Sequence, residues 1–266
     1  MKTVGVFDSG VGGLSVLRAL LAELPGVRFV YVADNAYAPY GERTVAEITD
    51  RSHRITAWLR QSHHIDALVV ACNTATALAI DSLRAAHPDL PIVGVEPALK
   101  PAASTSRTRH IGVLATRGTL NSERFARLRT QLENSASSPV HFVCQPCDGL
   151  ADAIERDDRQ TRQALCERYV TALREQAPGD MDTVVLGCTH YPFAADVLAQ
   201  LLGPDVALVD TGAAVARRTR DVLNLPATSG TSKTPLRLFA TGDPVALSQA
   251  AERWLGLQTG AEKSVV

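Results

Sequence analysis

Along this chain, short runs of apolar residues alternate with longer stretches in which apolar side chains recur at three- and four-residue intervals. A strand turns alternate side chains to opposite faces, whereas a helix returns to one face about every 3.6 residues, so the short runs read as strands and the longer stretches as helices. Strands are expected at Thr3–Phe7, Val27–Ala33, Ala67–Ala71, Pro91–Gly94, His110–Ala115, Val140–Cys144, Asp182–Gly187, Asp205–Val209 and Leu236–Ala240. Helices are expected at Leu14–Leu24, Thr44–Ser62, Asn121–Glu133, Arg159–Gln176 and Ala213–Leu223, among others. Such alternation defines βα units, hence an α/β fold with mostly parallel sheet and helices on both faces. Ligands of open α/β sheets lie beyond the carboxyl ends of the strands, which directs attention to the strand-to-helix turns. Three segments break the pattern. Leu225–Pro235, rich in Pro, Ser, Thr and Gly, reads as a surface loop before a final strand and helix; Ser104–Arg109 reads as a second loop; Leu257–Val266, without helical period, reads as a frayed tail.

The chain also resembles itself. Asp66-Ala-Leu-Val-Val-Ala-Cys72 and Asp182-Thr-Val-Val-Leu-Gly-Cys188 share an acid, three consecutive apolar residues, a small residue and a terminal cysteine, at an offset of 116. Val4-Gly-Val-Phe-Asp8-Ser9 matches Ile111-Gly-Val-Leu-Ala115-Thr116 at an offset of 107. The simplest account is two similar α/β halves, each offering one cysteine at its ligand-binding edge.

Composition narrows the partners. The 266 residues hold 27 Lys plus Arg against 28 Asp plus Glu, a net charge of −1, so there is no basic excess with which to neutralise a phosphate backbone, and nucleic acid is not expected as the main partner. Asp8 leaves no room for a signal peptide's apolar core, and the longest obvious uncharged run, Ala67 to Ile80, has 14 residues, short of the roughly 18 that suggest a membrane span. These features lead us to expect a cytoplasmic protein. Five cysteines in a reducing compartment do not form a structural disulfide framework, and each reads as core filler, metal ligand or reactive thiol.

Cys72 and Cys188 are the two that stand at strand ends. A thiol that opens a helix meets free backbone amides and the positive end of the helix dipole, which favour the thiolate. The polar neighbours Asn73-Thr74 and Thr189-His190 suit a carboxylate ligand, and His190, two residues from Cys188, can assist proton transfer. The turn Asp8-Ser9-Gly10-Val11-Gly12-Gly13 resembles a dinucleotide fingerprint, with Asp34 where a ribose-binding acid would stand. The fingerprint fails at Ser15, and an acid at Asp8 would repel a pyrophosphate, so the turn reads better as a glycine bend exposing Asp8 and Ser9 to an amine or carboxylate. Cys144-Gln-Pro-Cys147 has redox-like spacing, but no second pair follows to close a zinc site, and these two cysteines and Cys166 are expected to be bystanders. Only four lysines exist, and Lys100 is the one arguable anchor for a pyridoxal Schiff base, which weighs towards chemistry without a cofactor.

Two thiols in matched contexts suit one reaction in particular. If they flank one small molecule, a thiolate can remove a proton from one face of a carbon while the opposing thiol supplies a proton to the other. The centre inverts, and the reverse reaction exchanges their roles. This is the chemistry of a racemase or epimerase.

Taken in order, Gly5-Val-Phe-Asp-Ser-Gly-Val-Gly-Gly-Leu14, Pro39-Tyr-Gly41, Ala71-Cys-Asn-Thr-Ala75, Gly94-Val-Glu-Pro-Ala98, Leu114-Ala-Thr-Arg-Gly-Thr119, Leu186-Gly-Cys-Thr-His-Tyr-Pro192 and Asp210-Thr-Gly-Ala213 resemble the aspartate/glutamate racemase family along nearly the whole chain. The resemblance implies a cofactor-independent enzyme that interconverts L- and D-glutamate and supplies D-glutamate for peptidoglycan. It implies two similar parallel-sheet α/β lobes related by a pseudo-twofold, with the active site in the cleft between them. The lobes would comprise residues 1–98 plus 210–266 and residues 99–209. Carried over by motif, Cys72 and Cys188 would be the two acid/base residues, with Asp8 assisting Cys72, His190 assisting Cys188, and Glu155 as an accessory glutamate on the His190 side. Asp8, Ser9, Tyr40, Gly41, Asn73, Thr74, Thr116, Thr119, Thr189 and His190 would contact the substrate. No metal is implied; a homodimer is plausible from the same resemblance. Aspartate or hydantoin racemisation on the same scaffold, or a two-lobe protein that binds an amino acid without chemistry, are the alternatives.

Overall fold

The apolar runs pair as strands in two sheets, parallel throughout. A computed structural model describes residues 1–135, 139–177, 179–227, 234–264 and 266. The elements begin β1 (Thr3–Asp8), α1 (Leu14–Glu23), β2 (Arg28–Ala33), α2 (Val45–His63), β3 (Ala67–Val70), α3 (Asn73–Ala86) and β4 (Ile92–Gly94). They continue with α4 (Leu99–Thr105), β5 (His110–Ala115), α5 (Arg117–Leu120), α6 (Glu123–Glu133), β6 (His141–Pro146), α7 (Leu150–Glu155), α8 (Arg159–Gln176), β7 (Thr183–Gly187), α9 (Ala195–Leu202) and β8 (Ala207–Val209). The last are α10 (Gly212–Val222), β9 (Leu236–Ala240), α11 (Pro244–Leu255) and β10 (Ala261–Lys263). Short 3₁₀ turns occupy Tyr40–Glu42 and Tyr191–Ala194.

The chain divides into two units, Met1–Val95 with Gly212–Val266 and Glu96–Thr211. The first crossing falls three residues earlier than expected and the second two later. Glu96, the first residue of the second unit, pairs with Arg124 of α6.

The first unit carries a six-stranded sheet in the order β10-β9-β2-β1-β3-β4, the second a four-stranded sheet in the order β6-β5-β7-β8. Four consecutive strands of the first sheet, β2-β1-β3-β4, repeat the order of the second. The register repeats as well: Val4 stands opposite Ala67 and Ile111 opposite Thr183, so the two central pairs carry the offsets of 107 and 116 found in the sequence. The repeated acids have a physical task. Asp66 accepts hydrogen bonds from the Thr3 amide and Lys2 Nζ, both at 2.8 Å. Asp182 accepts from Ser106 Oγ at 2.6 Å and from the Arg107 and Thr108 amides at 2.6 and 3.1 Å. Asp66 fastens the start of its cysteine-bearing strand to the start of the central strand beside it, and Asp182 fastens its own to the loop that leads into the central strand.

Each sheet buries its own core. In the first unit Phe7, Val30, Val32, Leu68 and Val70 pack with Ile48, Ile55 and Leu59 of α2 and Ala75, Ala79, Ile80 and Leu83 of α3. In the second, Ile111, Val113, Phe142 and Val185 pack with Leu99, Ala102 and Phe125. Thr44 opens α2 with a capping box, its hydroxyl accepting from the Glu47 amide while the Glu47 carboxylate accepts from the Thr44 amide.

Two expectations need correction. Leu257–Val266 is not a frayed tail: β10 pairs in parallel with β9, and the Ser264 amide donates to Ala240 O. This strand is made by backbone hydrogen bonds rather than apolar burial, which is why Ala261-Glu262-Lys263 carries no hydrophobic signal. Ser104–Arg109 is loop only from Ser106 onward, since α4 continues to Thr105. The central part of the Leu225–Pro235 segment, including Lys233, lies outside the described residues. Among the described residues, no helix is long and apolar enough to cross a membrane.

Asp182 provides a test of the strand anchoring. Burial alone would raise its pKa, but hydrogen bonds from Ser106, Arg107, Thr108 and Thr183 hold its carboxyl well below the usual carboxylate range. A depressed folded-state pKa contributes stability that is present above the unfolded value and lost as pH falls through the folded one. Asp182→Ala is therefore expected to lower unfolding free energy by about 1–3 kcal/mol at neutral pH. Urea denaturation as a function of pH should show the difference between wild type and variant shrinking below about pH 4.

Candidate active site

Each sheet delivers one cysteine at the carboxyl end of the strand next to its central strand. In the first unit, Cys72 follows β3 and is the N-cap of α3, where its sulfur accepts from the Ala75 amide at 3.4 Å. Sulfur here takes the place normally filled by Ser, Thr, Asp or Asn, and the free amides of the first turn face it. Its thiol lies 4.0 Å from Ser9 Oγ. Ser9 follows β1, so the adjacency of β1 and β3 brings these two groups together. Asp8, at the end of β1, is fully buried, and its Oδ2 accepts from the Gly10 and Gly13 amides at 3.1 and 2.9 Å. Gly13 is required by close approach: a Cβ there would come within 2.6 Å of Asp8 Cβ and 2.8 Å of Tyr31 Oη. The glycine bend is therefore a wrapper for Asp8, and no pyrophosphate loop is formed.

Asn73 and Thr74, the first residues of α3, are buried, and the Asn73 amide nitrogen donates to Val95 O at 3.2 Å. Thr76, also in α3, bridges the neighbouring strands: its hydroxyl donates to Val70 O and accepts from the Val95 amide. Tyr40 shares the core of this unit with Cys72, and its hydroxyl donates to Asp34 Oδ2 at 2.5 Å. Gly41 is partly exposed beside it in the 3₁₀ turn. Asp34 itself is 0% exposed and enclosed by Arg51, Tyr40 and Thr241, leaving no face for a ribose.

In the second unit the surroundings differ. Cys188 directly follows β7 but does not open an α-helix, contrary to expectation: a turn and the 3₁₀ segment Tyr191–Ala194, with Pro192 in its first positions, intervene before α9. A histidine stands where a helix dipole was expected. His190 Nδ1 lies 3.7 Å from Cys188 Sγ, and its Nε2 lies 2.8 Å from Glu155 Oε2 at the end of α7. Burial alone would lower the His190 pKa, but the hydrogen bonds and charges of Cys188 and Glu155 outweigh it and raise it well above its ordinary value. The structure thus joins three of the residues named from sequence, Glu155, His190 and Cys188, in one chain of contacts.

Thr116 and Thr119 stand together beyond β5, which pairs with β7 through Ala115 and Gly187. Thr116 caps the short α5, accepting from the Thr119 amide, and the two hydroxyls are 2.9 Å apart. Thr189 is buried next to Cys188. The remaining cysteines have inert surroundings. All five are free, so Cys144 and Cys147 form no disulfide. Burial pushes the Cys144 and Cys166 thiols up to about 11. It pushes Cys147 well above the ordinary thiol value, reinforced by the neighbouring Cys188 and Cys166 sulfurs. Cys147 instead supports the site, since its carbonyl accepts from the hydroxyl of the fully buried Tyr191, the residue after His190. Lys100 is exposed on α4, unsuited to a buried Schiff base.

Each α/β unit carries a strand-end thiol with polar groups around it, suited to acid–base chemistry by sulfur. Comparison with known proteins agrees with this class: the sequence profile of the Asp/Glu/Hydantoin racemase family matches residues 4–219, and the chain belongs to that family. It is 48% identical to glutamate racemase from Pseudomonas aeruginosa, over 98% of this chain and 96% of the relative, and 46% identical to glutamate racemase from Ralstonia pickettii, over 95% and 88%. Among solved structures, a glutamate racemase isoform from Bacillus anthracis matches with a TM-score of 0.86 at 30% identity, covering 100% of this chain and 98% of that one. Escherichia coli glutamate racemase, solved with L-glutamate and the activator UDP-MurNAc-ala, matches with a TM-score of 0.84 at 34% identity, covering 98% and 97%.

The Glu155 contact gives a direct prediction. Glu155→Gln removes the charge but keeps a hydrogen-bonding group, so the pKa of His190 should fall. NMR titration of the His190 ring should place its midpoint at lower pH in the variant by about one unit or more. Because a raised histidine pKa stabilises the fold below the unfolded value of about 6.5 and loses that contribution as pH rises through the folded value, the variant's stability deficit should be greatest in acid and diminish in base.

Proposed function

We propose that this protein interconverts L- and D-glutamate without a cofactor, by proton exchange between the substrate's α-carbon and two thiols, Cys72 and Cys188. The observation that carries the reading is the paired register: two cysteines five positions beyond Ala67 and Thr183, each beside the central strand of its sheet. The substrate class is supported by relatives such as those from Pseudomonas aeruginosa and Ralstonia pickettii, which are named glutamate racemases and match nearly the whole chain.

In this mechanism one cysteine, as thiolate, removes the α-proton from one face, and the other, as thiol, returns a proton to the opposite face. The electron pair freed from the C–H bond is held in a planar carbanion conjugated with the α-carboxylate, and it takes up the new proton with inverted configuration. The reverse reaction begins with the second cysteine as thiolate. Asp8 serves the Cys72 side as an anchored carboxylate, and His190, held by Glu155, serves the Cys188 side as a charged donor. Ser9, Asn73, Thr74, Thr116, Thr119 and Thr189, with the Tyr40–Gly41 turn, supply hydroxyls and amides for the substrate's carboxylates and amine. Such donors stabilise charge that develops at the α-carboxylate in the transition state. The resulting D-glutamate would serve peptidoglycan synthesis; a cytoplasmic location, expected from the sequence, and a homodimer, drawn from family resemblance, belong to the same reading.

The reading is tested by α-proton exchange. In D2O the wild type should incorporate solvent deuterium at the α-carbon of either glutamate enantiomer, and Cys72→Ser and Cys188→Ser should each lose racemisation by at least about a hundredfold. Full racemisation by either variant would overturn the two-thiol mechanism. Activity confined to aspartate or to a hydantoin in a substrate panel would overturn the choice of glutamate.

A further inference from the structure

Outside the reacting groups, Asp34 is a heavily hydrogen-bonded polar side chain. It follows β2 and is wholly buried. Four hydrogen bonds converge on its carboxylate. Oδ1 accepts from Arg51 Nη2 and Thr241 Oγ1, both at 2.8 Å; Oδ2 accepts from Tyr40 Oη at 2.5 Å and Arg51 Nε at 3.0 Å. The donors come from α2, from the end of β9 and from the 3₁₀ turn. The main chain of Asp34 is fixed as well, its amide donating to Asp8 O at 2.9 Å and its carbonyl accepting from the Tyr37 amide at 2.9 Å.

The same network grips the loop leading to Tyr40. Thr241 Oγ1 accepts from the Ala36 amide at 3.2 Å, and the Gly242 amide donates to Asn35 Oδ1 at 2.6 Å. The Arg51 guanidinium lies 4.2 Å from the centre of the Tyr37 ring and donates to Val266 O at 3.3 Å. Tyr40 is 2% exposed, and its single hydroxyl proton is given to Asp34. A tyrosine held in this way has no side-chain hydrogen to offer a ligand, which leaves the backbone of the turn and the partly exposed Gly41 to meet it.

We propose that Asp34 is the positioning residue of the substrate-binding turn: with Arg51 and Thr241 it holds the Tyr40 hydroxyl so that the backbone at Tyr40 and Gly41, and not the tyrosine side chain, is presented to glutamate. The assignment rests on the reading above that this turn contacts the substrate. It makes Asp34, Arg51 and Thr241 determinants of substrate affinity with no part in proton transfer.

Tyr40→Phe keeps the ring and removes only the anchor. It should raise KM for both glutamate enantiomers roughly five- to tenfold while kcat stays within about twofold and both limbs of the pH–kcat profile keep their midpoints. Amide hydrogen exchange at Tyr40 and Gly41 should accelerate. Thr241→Val should shift KM in the same direction, and Thr241→Ser, which restores the hydroxyl, should return it to within about twofold of wild type. In a folded, active enzyme, an unchanged KM for Tyr40→Phe overturns the assignment. So does a fall in kcat with a moved pH midpoint, since the hydroxyl would then take part in the chemistry. A wild type that fails to racemise glutamate overturns the functional reading itself, a result distinct from these.

Discussion

A parallel strand pair allows little choice in where its ends fall. Once Val4 is paired opposite Ala67, and Ile111 opposite Thr183, residues five places further along the outer strand of each pair stand just past its carboxyl end, where strand pairing has ended. Cys72 and Cys188 occupy those places. A slip of one residue would turn each side chain to the opposite face of its sheet. The two acids that begin the repeated segments, Asp66 and Asp182, guard against such a slip by binding the first residues of the neighbouring strand or the loop that feeds it. Placement of the sulfurs is thus a property of hydrogen-bonded register, and the helices add the local environment.

That environment is unlike on the two sides. Cys72 caps a fourteen-residue helix and has Ser9 within reach, whereas Cys188 precedes a 3₁₀ turn and has an imidazole fixed by a glutamate. Amides in one unit and a buried charged ring in the other are different physical means of supporting a sulfur anion. Since a racemase must run in both directions through the same planar intermediate, the two bases need comparable strength, and unlike surroundings can meet that need. An internal repeat therefore need not preserve the residues around its reacting groups.

Much of this was legible in sequence because register and burial write themselves into apolar runs. The nine strands expected from those runs are all present, with no end shifted by more than two residues, and the repeat of acid and cysteine marks the two sulfurs in the sequence itself. What escaped had weak or distant signals. β10 is held by its backbone and contains two charged residues in three. The helix expected to follow Cys188 gives way to a 3₁₀ turn with Pro192 in its first positions, a local preference that periodicity does not register. Glu155 lies 35 residues from His190, and only family resemblance pointed to it. Asp34 was visible as an acid at the end of a strand, but nothing local shows that its partners come from Tyr40, Arg51 and Thr241, the last 207 residues away.

The strand borders have a consequence for solubility. Three of the four outermost strands, β10, β4 and β8, are only three residues long, and the fourth, β6, finishes in Pro146, which has no amide hydrogen to donate. An open sheet margin is a template on which another chain can add a strand, and short, charged or proline-ended margins blunt that template. The three-residue β10, with Glu262 and Lys263 at its end, replaces the more apolar β9 as the boundary of its sheet. β10 thereby acts as a guard against aggregation, a task for which its lack of hydrophobic character suits it.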